Sequence, residues 1–557
     1  MLQCNLNTNP EDALLIDNSK SYFQNVGYTR TSCFQMELKD VDPQNTANLG
    51  ATVNFVIPKG ADLMNQLDLM VEFAQPTNAC TSAAGQAVGW VDSIGHAMID
   101  KVTFSVGTTP LEELTGEQLH IINELMRDDK HRYGFEYIGK TGRPLLRSQC
   151  TVAGGSAVTN NFVDSNTDAD TYDRIISYYD GSANVKKEGK KLIVPLGLFF
   201  TKHPSAAFPI CAIAGVNDIR VQIKFRPQNE LIVLKSNWAT ANGIVTAASD
   251  AGTSPAAPNF PNGVAFKTCQ LRVHYYHVTG PEATSLMNRE HVRLMKMYTG
   301  NSVSKQFSIA HTAAGTQNVL SIPLSFLYPV QELIITIRKV SEARSASLSS
   351  VVKCTDVDQL ARGKNLFAYH GAGHDPNLEN PKHDTEENPS SGQTKALVSL
   401  PYLKTQNLKL TINGQTRHLD GQGIDRDYLM KRMMPMLHSN KGRHFENIHR
   451  SSMKMVSDTE GNGALMEPAD DIRALSQMMD QKEIYVFPFS IAPESPSPSG
   501  HVNFSKVSHA SLDIKVDGFD PAQSGSTPTT VEYQVDVYGQ YYNWLAIKQG
   551  RAMLSFA

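Results

Sequence analysis

The chain has 557 residues, 51 basic and 55 acidic, for a formal net charge of −4. That length predicts two large domains rather than one, and a near-neutral balance without a run of five or six like charges argues against direct nucleic-acid binding. Hydrophobic residues make up 41%, enough for real cores, but the longest uncharged apolar run, Leu192 to Phe200, is about half what a bilayer requires, so no membrane span is expected.

Along the chain, Met1 to Asn7 offers neither a basic nor an apolar signal region, which disfavours a secretory route. Seven scattered cysteines (Cys4, Cys33, Cys80, Cys150, Cys211, Cys269 and Cys354) contain no C-x-x-C pair and fit reduced thiols better than a disulfide framework or a zinc site. Val102, Phe104 and Val106 alternate with Lys101, Thr103 and Ser105, the period of a half-buried strand. Glu112 to Met126 reads as a short helix, with Glu113 and Glu117 four residues apart on its solvent face. Ile219, Val221, Ile223 and Phe225 alternate with charged and polar residues. Leu271 to His277 is a further strand, after which Thr279-Gly280-Pro281-Glu282 breaks the sheet and starts a short helix to Met287.

The second half repeats these parts. Ser321-Ile322-Pro323-Leu324 echoes Ile193-Val194-Pro195-Leu196, and Leu333, Ile335 and Ile337 alternate. Tyr428 to Met434 is helical. Phe487-Pro488-Phe489, the proline-serine run Pro493 to Pro498, and Ser499 to Ser505 read as an extended arm that delivers the chain into a strand, since prolines deny the backbone its helix donors. Leu512, Ile514 and Val516 and then Val531, Tyr533, Val535 and Val537 alternate with period two. Four stretches, Gln149 to Gly189, Ser236 to Gly263, Gly371 to Gln393 and Ser457 to Asp471, read as long loops. The pattern predicts a mostly-β chain, an internal duplication, and a boundary just after the 271–277 strand.

No catalytic, cofactor-binding or metal-binding residue is predicted, and no cofactor. Gly134-Phe135-Glu136-Tyr137-Ile138-Gly139-Lys140-Thr141 matches a phosphate-cradling loop in form, but a charged stretch, Arg127 to Arg132, stands where a buried strand is needed, and Pro144 blocks a following helix. Asp164 to Asp170 opens like a calcium loop, yet Ala169 replaces the turn glycine and Ile175 the bidentate glutamate. His370 and His374, or His438, His444 and His449, lack fixed-spacing partners and read as solvated loop histidines. The sequon Asn503-Phe504-Ser505 begins a strand and is expected to be unused.

Several segments carry a family resemblance. In the first half these are Gly27 to Thr31 with Phe34 to Glu37, Trp90 to Ile99 running on to Val106-Gly107 and Thr115-Gly116-Glu117, and Leu196 to Phe200 with Ala206 to Ile210. In the second half they are Tyr328 to Leu333, Ile412 to Arg417, Pro493 to Ser505, and Tyr541 to Leu545 with Gly550. Collinear and spread over nearly the whole chain, they resemble the major capsid proteins of nucleocytoplasmic large DNA viruses. Lys506 departs from the usual Arg, Arg551-Ala552 from the usual Met and small residue, and the long loops match nothing.

The resemblance implies an all-β fold of two consecutive eight-stranded antiparallel jelly rolls, a double jelly roll, with an N-terminal arm over residues 1–20, a first jelly roll over 21–280 and a second over 281–557. It implies a structural, non-enzymatic coat protein that forms pseudo-hexameric homotrimers in an icosahedral shell. Its partners would be neighbouring capsomers, minor capsid proteins and a penton protein, with an inner viral membrane beneath the shell and assembly in the host cytoplasm. The competing reading of the same β-rich pattern is a jelly-roll carbohydrate-binding protein or glycosidase, which requires an aromatic groove with two close carboxylates.

Overall fold

The computed structural model describes residues 34–74, 87–91, 93–125, 149–153, 157–161, 175–179, 184–186, 191–235, 265–278, 280–299, 303–312, 316–340, 366–367, 369, 402–416, 423–438, 453–457, 464–468, 484–519 and 529–556. The first half contains strands β1 (Phe34–Val41), β2 (Thr52–Ile57), β3 (Leu63–Phe73), β4 (Ala87–Trp90), β5 (Ile99–Val106), β6 (Thr109–Thr115), β7 (Gln149–Ala153), β8 (Ala157–Asn161), β9 (Ile175–Tyr179), β10 (Asn184–Lys186), β11 (Lys191–Pro195), β12 (Phe208–Pro209), β13 (Ile219–Phe225), β14 (Ile232–Lys235) and β15 (Phe266–Val278). The second half contains β16 (His291–Tyr298), β17 (Val303–His311), β18 (Thr316–Pro323), β19 (Pro329–Lys339), β20 (Tyr402–Ile412), β21 (Gln415–Thr416), β22 (Ile424–Asp425), β23 (Met453–Ser457), β24 (Ala464–Pro468), β25 (Ile484–Pro488), β26 (Val502–Asn503), β27 (Ala510–Phe519), β28 (Thr529–Lys548) and β29 (Arg551–Leu554).

One pairing scheme occurs twice. In the first half the strand order is β1-β15-β3-β11 in one sheet and β2-β13-β5-β6 in the other; in the second half it is β16-β28-β19-β25 and β18-β27-β20-β21. Even the short accessory strands correspond. β12 pairs with the start of β3, at Met64 and Leu63, and β26 with the start of β19, at Pro329 and Val330. All these ladders are antiparallel, and sequence-distant strands lie side by side, as in a jelly roll. Among the described residues, every ladder up to Val278 stays within the first half and every ladder from His291 within the second.

Alternation sets the faces. β13 reads buried at Ile219, Val221, Ile223 and Phe225 and exposed at the residues between, because successive side chains of a strand point to opposite faces. The two sheets of the first half meet through aromatic contacts. Phe104 of β5 lies 5.5 Å from Phe208 of β12, and Phe225 of β13 lies 4.9 Å from Phe266 of β15. In the second half, Leu512, Ile514 and Val516 of β27 and Tyr533, Val535 and Val537 of β28 are buried in the same way.

Four expectations are corrected. The helix placed at Glu112 begins at Gly116, and residues 109–115 are strand β6. The reason is a capping box: Gln118 N–H donates to Thr115 Oγ1 at 3.2 Å and Gln118 Oε1 accepts from Thr115 N–H at 2.9 Å, which fixes the helix start. The stretch 149–189 is not one loop, since β7–β8 is a hairpin and β9 and β10 join β4 and β14 in a sheet; its β-branched and aromatic residues, such as Ile175-Ile176 and Tyr178-Tyr179, favour strand. The 457–471 stretch holds β24, which pairs with β23. The Gly134 to Thr141 and Asp164 to Asp170 lookalikes, His370, His374, His444 and His449, and the 236–263 and 371–393 loops lie outside the described residues.

The proline-serine arm is the fourth. It closes into a compact loop, with Ile491 N–H donating to Ser499 O at 3.3 Å, Ala492 N–H to Ser499 Oγ at 3.0 Å, and Ser499 Oγ to Ala492 O at 3.0 Å. Gly500, at φ 135°, permits the closure, since a Cβ there would sit 2.7 Å from Phe489 O. Of the remaining helices, a short one spans Ile94–Ala97 and another Gly280–Asn288, and the segment Arg426–Leu437 is helical with a π turn at Leu429–Met433. Among the described residues no helix is long and apolar enough to cross a membrane.

Phe225 and Tyr533 are fully enclosed. Phe225→Ala and Tyr533→Ala should each destabilise the chain by about 3–5 kcal/mol in chemical denaturation; wild-type stability in either variant would mean that the side chain does not carry the core of its sheet.

Candidate functional site

The most heavily buried polar region is the seam between the halves. Opposed residues of an antiparallel ladder share a face, so Glu332, Ile334, Thr336 and Arg338 of β19 lie with Gln540, Tyr538, Asp536 and Gln534 of β28 on the face opposite the core residues Leu333, Ile335 and Ile337. Tyr298 and Lys296 of β16 continue that face beside Gln540 and Tyr542. A sheet covering one core normally leaves its other face to solvent. Here Tyr298, Glu332, Ile334, Thr336, Arg338, Asp536, Tyr538, Gln540 and Tyr542 are all buried. The cover comes largely from the first half: the helix Gly116–Leu125 and the loop 196–214 that follows β11.

At the centre, Arg338 bridges the halves. Its Nη1 donates to Glu117 Oε1 at 3.0 Å and to Leu366 O at 2.9 Å, and its Nη2 donates to Asp536 Oδ2 at 3.0 Å. The Tyr369 hydroxyl donates to the same Glu117 oxygen at 2.7 Å. Burial alone would loosen the arginine's proton, but Glu117, Tyr369 and Asp536 outweigh it and raise its pKa further. Burial, reinforced by Glu117, pushes the Tyr369 phenol well above its ordinary range. Beside this network His120 stacks on Phe367 with ring centroids 4.0 Å apart, and Gln118 Nε2 donates to Thr299 O at 2.5 Å.

Two more contacts close the seam. Lys202 donates to Lys296 O at 3.1 Å, and its ammonium lies 4.6 Å from the centre of the Tyr298 ring. Burial lowers its pKa against the pull of Glu112 and Glu332. The Glu112 carboxyl is pushed by burial up to about 7, against Lys202 and against the Phe199 N–H that donates to Glu112 Oε2 at 2.7 Å. At the far end Asn217 Nδ2 and Ala214 N–H both donate to Gly550 O, at 2.9 and 3.0 Å. Gly550 has φ 75°, and a Cβ there would lie 2.4 Å from the Ala214 Cβ, so the turn between β28 and β29 requires glycine for both conformation and contact.

The second half's own loop is fastened to the same face. Lys296 Nζ donates to Pro493 O at 2.8 Å and to Ser495 O, and Gln331 Nε2 donates to Pro493 O at 3.2 Å. His438 sits between Glu332, 3.1 Å from Nε2, and Glu494, 3.3 Å from Nδ1. Burial would lower the imidazole pKa, but the two carboxylates prevail and lift it to about 9. His438 is therefore a buried ion-pair partner, not a solvated loop histidine. Glu112 and Glu117 are likewise buried, and only Glu113 keeps a solvent position, paired with Lys101 at 2.5 Å. Among the described residues no group of three or more His, Cys, Asp and Glu is placed to hold a metal ion. The Asn503 carboxamide oxygen accepts from Ser505 N–H at 3.1 Å.

Arg338, His438, Lys296 and Lys202 were not singled out by sequence reasoning as partners of one another. One signal was available: β19 runs Val330 to Ile337 with apolar residues on both faces, the mark of a strand covered on both sides. A charge continuing such a strand must be paired.

Arg338→Met should lower stability by about 3–5 kcal/mol, because it strands Glu117 and Asp536 in the seam; Glu117→Gln, which keeps a hydrogen-bond acceptor, should cost less, and denaturation midpoints of both variants check the order. Folded His438 holds its proton to about 9, whereas the ordinary value is 6.5. Its contribution is therefore complete below pH 6.5 and is lost as pH rises through 9. Lys296, drawn down to about 8 mainly by burial, acts in the opposite sense above that pH. Between pH 6.5 and 8 the stability advantage of wild type over His438→Gln should shrink by roughly 1–2 kcal/mol, read from paired denaturation curves; a constant difference would show that His438 holds no extra proton.

Comparison with known proteins places these features. A family described as major capsid protein N-terminus matches residues 21–262. The major capsid protein of Phaeocystis pouchetii virus is 22% identical over 561 residues, covering 98% of this chain and 97% of its own, and capsid protein 1 of Acanthamoeba polyphaga mimivirus is 23% identical over 42% of this chain and 35% of its own. Among solved structures, the PBCV-1 virus capsid aligns with a TM-score of 0.53 at 16% identity over 96% of this chain and 100% of that one; the Faustovirus major capsid protein aligns with 0.52 at 12% over 97% and 94%. The fold is a double jelly roll, buried charges hold its seam together, and along its length the chain is similar to the major capsid proteins of large DNA viruses.

Proposed function

We propose that three copies of this chain form a trimer whose six sandwiches give a pseudo-hexagonal capsomer, and that such capsomers tile an icosahedral shell. The observation that carries this reading is the repetition of one strand order in both halves of the chain, which supplies two similar building blocks from each copy. The blocks are the first jelly roll over residues 21–280 and the second over 281–557, with residues 1–20 as an arm. A net charge of −4 on 557 residues supports the same reading, since strong like charge would oppose edge-to-edge packing of many copies.

On this reading the partners are neighbouring capsomers, minor capsid proteins and a penton protein, with an inner viral membrane beneath the shell and no direct contact with nucleic acid. Assembly takes place in the host cytoplasm. The chain carries no catalytic, cofactor-binding or metal-binding residues, and cohesion comes from many modest contacts.

Light scattering on the purified protein should give a mass about three times 61.2 kDa. A stable monomer at micromolar concentration would overturn the trimer.

A further inference from the structure

Among the described residues one Asn-Gly pair occurs, Asn413-Gly414. It forms the two-residue turn between β20 and β21, closed by the pairing of Ile412 with Gln415. Asn413 has φ 50° and Gly414 φ 78°, both left-handed, as the mirror-image type of hairpin turn requires. The turn is clasped from the side. Asn413 Oδ1 accepts from Ser508 N–H at 3.0 Å, from Ser508 Oγ at 2.9 Å and from His509 N–H at 3.2 Å, and Asn413 N–H donates to His509 O at 2.8 Å. Ser508 and His509 lead into β27, the strand beside β20. One carboxamide therefore joins the tip of a hairpin to the entry of its neighbouring strand.

Asn-Gly is also a chemically reactive pair, because glycine puts no Cβ beside its amide nitrogen. Base takes the proton of the Gly414 amide, the nitrogen attacks Asn413 Cγ, and the Cγ–Nδ2 bond breaks with release of ammonia, leaving a five-membered succinimide. Water then opens the ring. Cleavage of the new Cγ–N bond leaves aspartate in an ordinary main chain. Cleavage of the bond from that nitrogen to the Asn413 main-chain carbonyl carbon leaves isoaspartate, whose main chain runs through Cγ. Either route consumes one water and releases one ammonia. The turn is exposed, so water and base reach it as it stands, and geometry must do any shielding. Ring closure needs Cγ to swing onto the Gly414 nitrogen, which withdraws Oδ1 from its three donors and turns a backbone held by the pairing of Ile412 and Gln415.

We propose that Asn413 is a modification site shielded by this clasp: it deamidates through the succinimide when the 412–415 hairpin parts from residues 508–509, and the isoaspartate product prevents the hairpin from closing again. The two products differ in what they leave behind. Aspartate keeps an oxygen for the same three donors and, like asparagine, tolerates the left-handed conformation. Isoaspartate lengthens the turn by one main-chain carbon and moves its carboxylate off the position that Oδ1 held, so the pairing of Ile412 with Gln415 and the clasp cannot both form. A chain that has opened at this corner is thereby marked permanently.

The test is peptide mapping by mass spectrometry of the full-length protein after incubation in mildly alkaline buffer, native and in concentrated guanidinium chloride, with the two products separated by chromatography. Asn413 should react at least about tenfold more slowly in the native protein than in denaturant, since reaction waits on local opening. Ser508→Ala, which removes one of the three donors, should raise the native rate several-fold and leave the rate in denaturant unchanged. Asn413→Asp, the aspartate product made genetically, should match wild type in chemical denaturation. When protein aged in denaturant is returned to buffer, aspartate at 413 should be found in the refolded fraction and isoaspartate should be enriched in the fraction that fails to refold.

Equal rates in native and denatured protein would overturn the shielding. An unchanged native rate in Ser508→Ala would overturn the clasp as its cause. A destabilised Asn413→Asp, or isoaspartate in the refolded fraction in the same proportion as in the aged chain, would overturn the distinction between the products. The proposal does not rest on the trimer, and none of these outcomes bears on it.

Discussion

The structure depends on a sheet that is covered on both faces. β19 and β28 contribute to the core on one side with Leu333, Ile335, Ile337, Val535 and Val537, and on the other carry Glu332, Thr336, Arg338, Asp536 and Gln540 into a second buried layer. Polar groups taken out of water must find partners, and a charge must find a countercharge. Glu117, on a helix of the other half, is one of those partners. The halves are therefore held in register by chemistry as well as by area: an apolar seam tolerates sliding, whereas an arginine shared by Glu117, Asp536 and the Leu366 carbonyl has one position that satisfies all three.

The outer faces of β16, β28 and β19 and of β1, β15 and β3 differ in how their polar groups are paired. The outer face of the second half is buried as the chain folds and can be built from groups that water never reaches again. Among the described residues the outer face of the first half is exposed, and its polar positions are paired in ways that survive exposure: Arg272 with Asp40 at 2.7 Å, His274 with Asp68 at 3.1 Å, and Lys267 with Glu72 at 2.7 Å. Such pairs are individually weak in water. They keep the surface soluble while the exposed apolar side chains Phe34, Met36 and Leu38 concentrate on the edge strand β1.

How much of this was legible in the sequence varied with the physical signal. Period-two alternation located β5, β13, β19, β27 and β28, because each has a clear core stripe. The duplication was visible in the recurring apolar segments with a proline, Ile193 to Leu196 and Ser321 to Leu324, although the structure shows that Pro195 ends β11 and Pro323 ends β18, strands of different rank in the two sandwiches. The correspondence is in strand order, which sequence periodicity does not encode. The helix at Gly116 was misplaced because the Thr115 and Gln118 side chains, not the apolar spacing, decide where it starts. The seam was hidden for a similar reason. Glu117 and Arg338 stand 221 residues apart, and each alone reads as a surface charge; only the apolar run Leu333-Ile334-Ile335 of β19, which spans both faces, hinted that a charge beside it is enclosed.

A chain that contains both halves changes the assembly problem. If each sandwich were separate, every contact between sandwiches in a ring would have to form between free molecules and bear the entropy of association. Joining two sandwiches makes every second contact intramolecular, at the high effective concentration that a short connection gives. That contact can be strong and irreversible in practice, since it forms once, with folding. In the trimer proposed above, contacts between copies work under the opposite demand: they must be weak enough to dissociate while a misplaced copy is corrected and must gain strength only when the ring closes. Buried ion pairs at the internal seam match the first of those demands, since Arg338 satisfies Glu117 and Asp536 in one geometry only.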